Sequence, residues 1–261
     1  MINLNENENY LKSYDKVSEE VKYAANSIIR LKILASLFEK PSNMKDLAKN
    51  TKLNYSSIST TLQGLELKNF VYRESNKYYL SNSLMILMKN VLEVKEVVNL
   101  LNRIFNIING HVVDVIPSNS VVELYLLGNA SLMESDAVDA YKINNFIEDA
   151  LSDAKRVHCI LPFYHLGFKE RIDDLVKSNN HVEVFVSDEV FEIFEENSEI
   201  KYLYSFNQKN NFLLIVTDKM MILGLFRDDG YFDQNRLLTS KNKDAVKWAN
   251  NLYKTFKKKN K

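Results

Sequence analysis

The sequence predicts an α+β chain: a helical N-terminal part with one small hairpin, a long connecting helix, and a C-terminal α/β part with a mixed sheet. Three observations carry this. Residues 42–80 read as helix, turn, helix and two short strands. Residues 84–108 keep a three-four apolar spacing without a break. Beyond Gly110, strand and helix patterns alternate and then give way to consecutive strands, the order of a mixed sheet with helices packed on it. The expected divisions are 1–82, 83–109 and 110–261.

Composition sets outer limits. The chain has 261 residues, 46% hydrophobic and 26% charged, enough for two modest domains. Its net charge is zero but unevenly spread. Residues 1–90 hold 13 Lys and Arg against 9 Asp and Glu, or +4, and the rest hold 21 against 25, or −4. The single cysteine, Cys159, excludes an internal disulfide framework; its apolar neighbours mark it as inert core. The N-terminus lacks the apolar segment of a signal peptide, and no run reaches about 18 apolar residues. A cytoplasmic protein without membrane spans is expected.

Residues 1–9 read as a frayed polar arm. A helix is expected from Tyr10 to Phe38, with Val17, Val21, Ala24, Ile28, Leu31, Ala35 and Phe38 on one face and Ile29, Ile33, Leu34 and Leu37 on a second. Lys40-Pro41 stops it, because proline disfavours helical geometry in the residue before it. Ser42 is the expected cap of the next helix, and Thr51-Lys52-Leu53-Asn54 the following turn. The helix Tyr55 to Lys68 buries Ile58, Leu62 and Leu65. Its other face is Tyr55, Ser56, Ser57, Ser59, Thr60, Thr61 and Gln63: neutral hydrogen-bonders and mediocre helix formers, which helix stability does not explain. Such a surface suits the DNA major groove, close to phosphates and base edges. Asn69 fits a left-handed helix end, and Phe70–Glu74 and Lys77–Ser81 form a hairpin about Ser75-Asn76.

This order resembles the winged-helix DNA-binding domains of bacterial and archaeal transcription regulators, through Leu65-Glu66-x-x-Asn69-Phe70-Val71. The expected DNA contacts are Lys52, Tyr55, Ser56, Ser57, Ser59, Thr60, Gln63 and Lys68, with Asn76 at the turn and Arg73 and Lys77 on the wing. Ser81 to Ser83 then cap a helix to Ile108 of roughly 37 Å, whose seam Leu84, Leu87, Val91, Val94, Val98, Leu101, Phe105 and Ile108 suits a linker and dimer helix. Burial of that helix within one chain is the plainer alternative.

In the C-terminal part, helices are expected at Val121–Leu127, Asp136–Lys155 (Val138, Tyr141, Phe146, Ile147, Ala150 and Leu151 inward), Leu166–Lys177, Asp188–Glu196 with Asp188 as cap, and Lys241–Lys258, leaving Lys257 to Lys259 as a solvated tail. Strands are expected at Arg156–Leu161, His181–Ser187, Lys201–Phe206, Phe212–Thr217 and Met220–Phe226. Residues 111–256 are similar to the C-terminal domain of the archaeal filamentation-regulator family, winged-helix regulators best known from methanogens. The matching stretches are His111 to Pro117, Gly128 to Ser135, Ile160 to His165, Val182 to Asp188, Val216 to Lys219, Leu223 to Phe226 and Asp229 to Asp233. The resemblance implies transcriptional regulation, with the second domain sensing an effector or holding a dimer; it names no effector.

An enzyme is not expected. His165, Lys169 and Asp173 come in the order of the phospholipase D motif, but their four-and-four spacing sets them on one helix face rather than in that reaction's geometry. With six glycines and no Gly-rich phosphate loop, no nucleotide cofactor is expected. The four histidines, His111, His158, His165 and His181, show no short ligand spacing, so no metal is expected. A small-molecule effector at the carboxyl ends of strands would meet Phe163, Tyr164, His165, Asp188, Arg227 and Arg236, the last in a loop before the final helix. The expected function is a homodimeric regulator that binds double-stranded DNA. A winged helix that binds protein, with the C-terminal part as dimer scaffold, is the alternative of a different class.

Overall fold

The computed structural model describes residues 22–23, 26–196, 198–207 and 211–260. Contacts divide the chain into two compact units, 1–93 and 94–261.

In the first unit, α1 is Ile28–Glu39, α2 Met44–Thr51 and α3 Tyr55–Leu67, followed by strands β1 (Val71–Glu74) and β2 (Lys77–Leu80). The expected arm 1–9 lies outside the described residues, as does the expected helix from Tyr10 at residues 10–21 and 24–25. The chain bends at Asn26, and α1 starts afresh because the Ser27 hydroxyl accepts from the Arg30 N–H at 3.3 Å. The second apolar face, not the Ile28 seam, is the buried one: Ile33, Leu34 and Leu37 are enclosed, whereas Ile28 is 69% exposed. Asn43, not Ser42, caps α2, accepting from the Asp46 N–H at 2.9 Å. Ser42 instead exchanges backbone hydrogen bonds with Tyr78 of β2 (2.9 and 3.3 Å), adding a third chain to the hairpin. Asn54 caps α3 through the Ser57 N–H at 2.8 Å. Ile58, Leu62 and Leu65 of α3 join Leu34, Leu47, Val71 and Leu84 in one core.

Helix α4 spans Asn82–Arg103, and the Ser81 hydroxyl accepts from the Leu84 N–H at 3.3 Å. It does not run on to Ile108. The chain breaks at Ile104 and resumes as α5, Phe105–Ile108. Arg103 turns its guanidinium to the carbonyls of Gly128 and Ala130 at the break. The apolar spacing crosses the break unchanged, so periodicity alone conceals it.

The second unit continues with α6 (Ser118–Val122), a 3-10 turn (Leu124–Leu127), β3 (Ser131–Glu134), α7 (Lys142–Ser152), β4 (Arg156–Leu161), α8 (Leu166–Lys177) and β5 (His181–Ser187). Then come a 3-10 turn (Asp188–Val190), α9 (Phe191–Glu195), β6 (Leu203–Phe206), β7 (Leu213–Thr217), β8 (Met221–Gly224), β9 (Arg236–Ser240) and α10 (Lys243–Asn260). The sheet order is β3-β9-β8-β7-β4-β5-β6, parallel only for β4-β5 and β5-β6. It is a mixed sheet, as expected.

Alternation along the strands builds two cores. Val157, Cys159, Leu161, Val182, Val184, Val186, Leu213 and Ile215 face α7, α8 and α9. Ile160, Phe185, Leu214, Val216, Met221 and Leu223 face α10 and the Leu100, Ile104 and Ile107 side of α4 and α5. Burial pushes the Cys159 thiol up, in keeping with an inert core residue.

Several expected elements differ. The helix from Asp136 starts only at Lys142, because the Asp136 carboxylate accepts from the backbone N–H groups of Asp139 (2.9 Å) and Val138 (3.0 Å) and closes a turn first. Those two bonds hold that carboxyl below its usual range, and Val138 (97%) and Tyr141 (71%) are exposed rather than inward. Strands β3 and β9 were not expected, so Arg236 stands on a strand and not in a loop. Asp188 opens a 3-10 turn without capping it through its side chain.

Candidate nucleic-acid interface

The candidate interface is built on α3. Its buried residues fall at 58, 62 and 65, leaving the opposite stripe outward. Tyr55, Ser56, Thr60 and Gln63 are exposed there, with Ser57 and Ser59 half-buried. The Thr61 hydroxyl is spent on the Ser57 carbonyl at 2.7 Å. Lys52, exposed in the turn before α3, is left-handed at φ 58°. Gly64 is explained by close approach: the Tyr23 hydroxyl donates to its carbonyl at 3.1 Å, and a Cβ there would lie 3.1 Å from that hydroxyl. Lys68 is exposed but engaged, its ammonium 4.4 Å from the Tyr23 ring centroid.

After Asn69, left-handed as expected at φ 56°, the hairpin pairs Tyr72 with Tyr79, Arg73 with Tyr78 and Glu74 with Lys77. Arg73, Asn76 and Lys77 are exposed. The Arg73 guanidinium donates to the Asn76 side-chain oxygen at 3.1 Å, so two of the expected contacts brace each other across the turn. The stacked pair Tyr72–Tyr79, centroids 5.3 Å apart, adds an aromatic face to the wing that the sequence reading passed over. The signal was present: an opposed pair of tyrosines follows from the register of a two-residue turn.

The six expected effector residues do not form one site. All follow or start strands at one edge of the sheet, as the pairings dictate. Phe163, Tyr164 and His165 line a cavity of about 90 Å³ together with Phe168, Phe232 and Gln234. Arg236 instead lines an open cleft of about 410 Å³ beside Ser135, Asp136 and Asn235, paired with Glu134 at 3.0 Å. Arg227 is held by Asp229 at 2.6 Å, which keeps that carboxyl below its usual range, and Asp188 is exposed. Two strands separate β8 from β5, which is why Arg227 and Asp188 stay apart.

The stretches that carried the family resemblance are mostly structural fasteners. His111 pairs with Asp233 at 2.9 Å, both buried, so the two ends of the matching region meet. The Thr217 hydroxyl accepts from Lys219 and Met220 N–H groups at 3.0 Å and closes the β7–β8 turn. Asp218 accepts from the Lys155 N–H at 2.8 Å and so ties that turn to the start of β4. His165, Lys169 and Asp173 carry no reaction geometry: Lys169 is buried in an ion pair with Asp173 at 2.6 Å.

Residues 18–103 match the N-terminal domain, and residues 140–259 the middle domain, of the methanogenesis regulatory protein FilR1. The chain belongs to the FilR1 family. Members of this family are regulatory proteins and not enzymes, and the chain is a transcription regulator. No curated protein matches the chain. Among solved structures it is similar to TrmBL2, an archaeal chromatin protein with a novel mode of DNA binding, at 12% identity over 95% of this chain and all of that one, TM-score 0.40. It is also similar to Nuc, a phospholipase D family member from Salmonella typhimurium, at 14% identity over 49% of this chain and 91% of that one, TM-score 0.38. No helix among the described residues is long and apolar enough to cross a membrane.

Proposed function

We propose that this FilR1-family regulator binds double-stranded DNA as a homodimer through residues 1–82, that α4 joins and pairs the protomers, and that residues 110–261 sense an effector. The observation that carries the reading is the exposed neutral stripe Ser56, Thr60 and Gln63 beside the exposed Arg73 and Lys77 of the wing. A helix held by Ile58, Leu62 and Leu65 has no stability reason to carry serine and threonine outward. Hydroxyl and amide groups without charge suit base edges and phosphate oxygens, and the wing cations suit the flanking backbone.

In this reading Tyr55, Ser56, Ser57, Ser59, Thr60 and Gln63 meet the major groove, Lys52 and Lys68 lie near phosphate, and Arg73, Asn76 and Lys77 reach the flanking groove. Supporting the dimer, Val94 (61%), Val98 (49%) and Phe105 (60%) leave an apolar face of α4 and α5 uncovered. Two protomers would place two α3 helices at half-sites about one helical turn apart. Effector contact falls to Phe163, Tyr164 and His165. Their cavity is below the roughly 300 Å³ of ordinary ligand pockets, so binding would require it to open.

Fragments of the host genome selected by the purified protein, followed by titration of one fragment, test the reading. Loss of one phosphate contact in Lys77→Ala is expected to weaken binding uniformly and lower the salt slope by about 1. Unchanged binding in an Arg73→Ala, Lys77→Ala double variant removes the wing from the contact. Capture of protein instead of DNA favours the interaction-module reading. For the dimer, Val94→Glu with Val98→Glu is expected to halve the mass seen by light scattering.

A further inference from the structure

The α10 face of the sheet carries a cluster that the DNA reading does not use. His158 on β4 lies directly opposite Glu183 on the parallel strand β5, and His181 stands two residues before Glu183, on the same face. One ligand atom from each of the three lies within 4.8 Å of the others. The imidazoles of His158 and His181 approach edge to face, centroids 5.9 Å apart. His181 is exposed, His158 half-buried and Glu183 buried, so the group opens to solvent on one side.

The surroundings prepare these side chains as ligands. Asn250 of α10 donates its amide to the Val246 carbonyl at 2.9 Å, which turns its oxygen to His158 Nδ1 at 3.1 Å. That oxygen can only accept, so Nδ1 carries the proton and Nε2 is left with its lone pair. An imidazole fixed by an acceptor on its other nitrogen is the usual second support of a metal-bound histidine. The ring is also clamped flat on Tyr253, centroids 4.7 Å apart. The Tyr253 hydroxyl is buried beside Glu183. Lys257 pairs with one oxygen of Glu183, Oε1, and leaves Oε2 for a second partner.

We propose that His158 Nε2, His181 and Glu183 form a binding site for one divalent transition-metal ion of the zinc class, with its fourth position open to water. Two imidazoles and a carboxylate suit such an ion, whereas calcium and magnesium prefer oxygen alone. Tetrahedral bonds of about 2.0 Å place ligand atoms about 3.3 Å apart, so the set must close by about 1.5 Å. His181, exposed at the start of its strand, is the least enclosed of the three side chains.

The test is titration of the full chain, stripped with chelator, with Co²⁺ and Zn²⁺. One equivalent of Co²⁺ is expected to give the visible bands of a tetrahedral site, displaced by Zn²⁺, and Zn²⁺ to raise the melting temperature. His181→Ala, at an exposed position, and Glu183→Gln, of the same shape, should each weaken binding at least roughly tenfold and abolish the melting shift. Glu170→Gln, at an exposed carboxylate on α8, should leave both unchanged. Absence of stoichiometric binding, or binding undiminished in a His181→Ala protein that melts like the parent, overturns the proposal.

Discussion

Helices α3 and α10 are both amphipathic, yet they spend their outward faces differently. α10 buries Ala245, Trp248, Ala249, Leu252, Tyr253 and Phe256 and turns out Lys254, Lys258 and Lys259, the charged surface of an ordinary solvated helix. α3 buries only Ile58, Leu62 and Leu65 and turns out tyrosine, serine, threonine and glutamine. Position on the molecule's surface does not explain the contrast, since both faces meet solvent. The difference teaches that inward residues report the fold, while an outward face that ignores helix propensity needs another reason, which the proposed DNA contact would supply.

The largest effect that separates the two helices is on stability. Trp248→Ala removes a side chain with no exposure and the donor to the Ser120 carbonyl at 2.8 Å. It should cost about 3–5 kcal/mol in denaturant unfolding of the C-terminal unit. Next, Thr60→Ala should leave melting unchanged or slightly raised, because alanine is the better helix former, while DNA discrimination falls by about 1–3 kcal/mol. A loss of stability instead would place Thr60 among structural residues and erase the contrast. Asn54→Ala should cost about 1 kcal/mol, since the Ser57 N–H loses its cap.

A pH series sharpens the comparison from the other side. His158, beside α10, sits below its ordinary value of 6.5 chiefly through burial, so the unfolded chain takes up its proton first. Its contribution is therefore complete above about pH 6.5 and is lost as pH falls through the lower folded value. His158→Gln should flatten that acid limb of the stability curve. The smallest effect is expected for Lys254→Ala, within about 0.5 kcal/mol in stability and without change in DNA affinity.

What could be read from the sequence follows the same division. α3, the wing turn, β4, α8 and β5 lie close to where spacing put them, because their buried faces recur at fixed steps and Asn54 and Asn69 punctuate them. β3 was missed because Ser-Leu-Met-Glu is an edge strand without β-branched residues or clean alternation. The start of α7 was misplaced because the Asp136 side chain closes a turn, a choice that periodicity does not register. The stripe on α3 was legible because its residues are local in sequence. The His158, His181 and Glu183 group was not, since only strand pairing brings positions 158 and 183 opposite each other. The one local hint was His181-Val182-Glu183, two ligand types on one face of a strand.

The backbone bridge between Ser42 and Tyr78 has a mechanical consequence. It ties the strand β2 at Tyr78, one residue past the start of that strand and close to the turn, to Ser42, two residues before α2. On the proposed DNA contact, the reach from α3 to the wing tip would act as a stiff caliper, and the duplex, as the softer body, would have to bend or narrow its groove to fit the gauge. Sequences that deform easily would be gripped more tightly even where no side chain touches them.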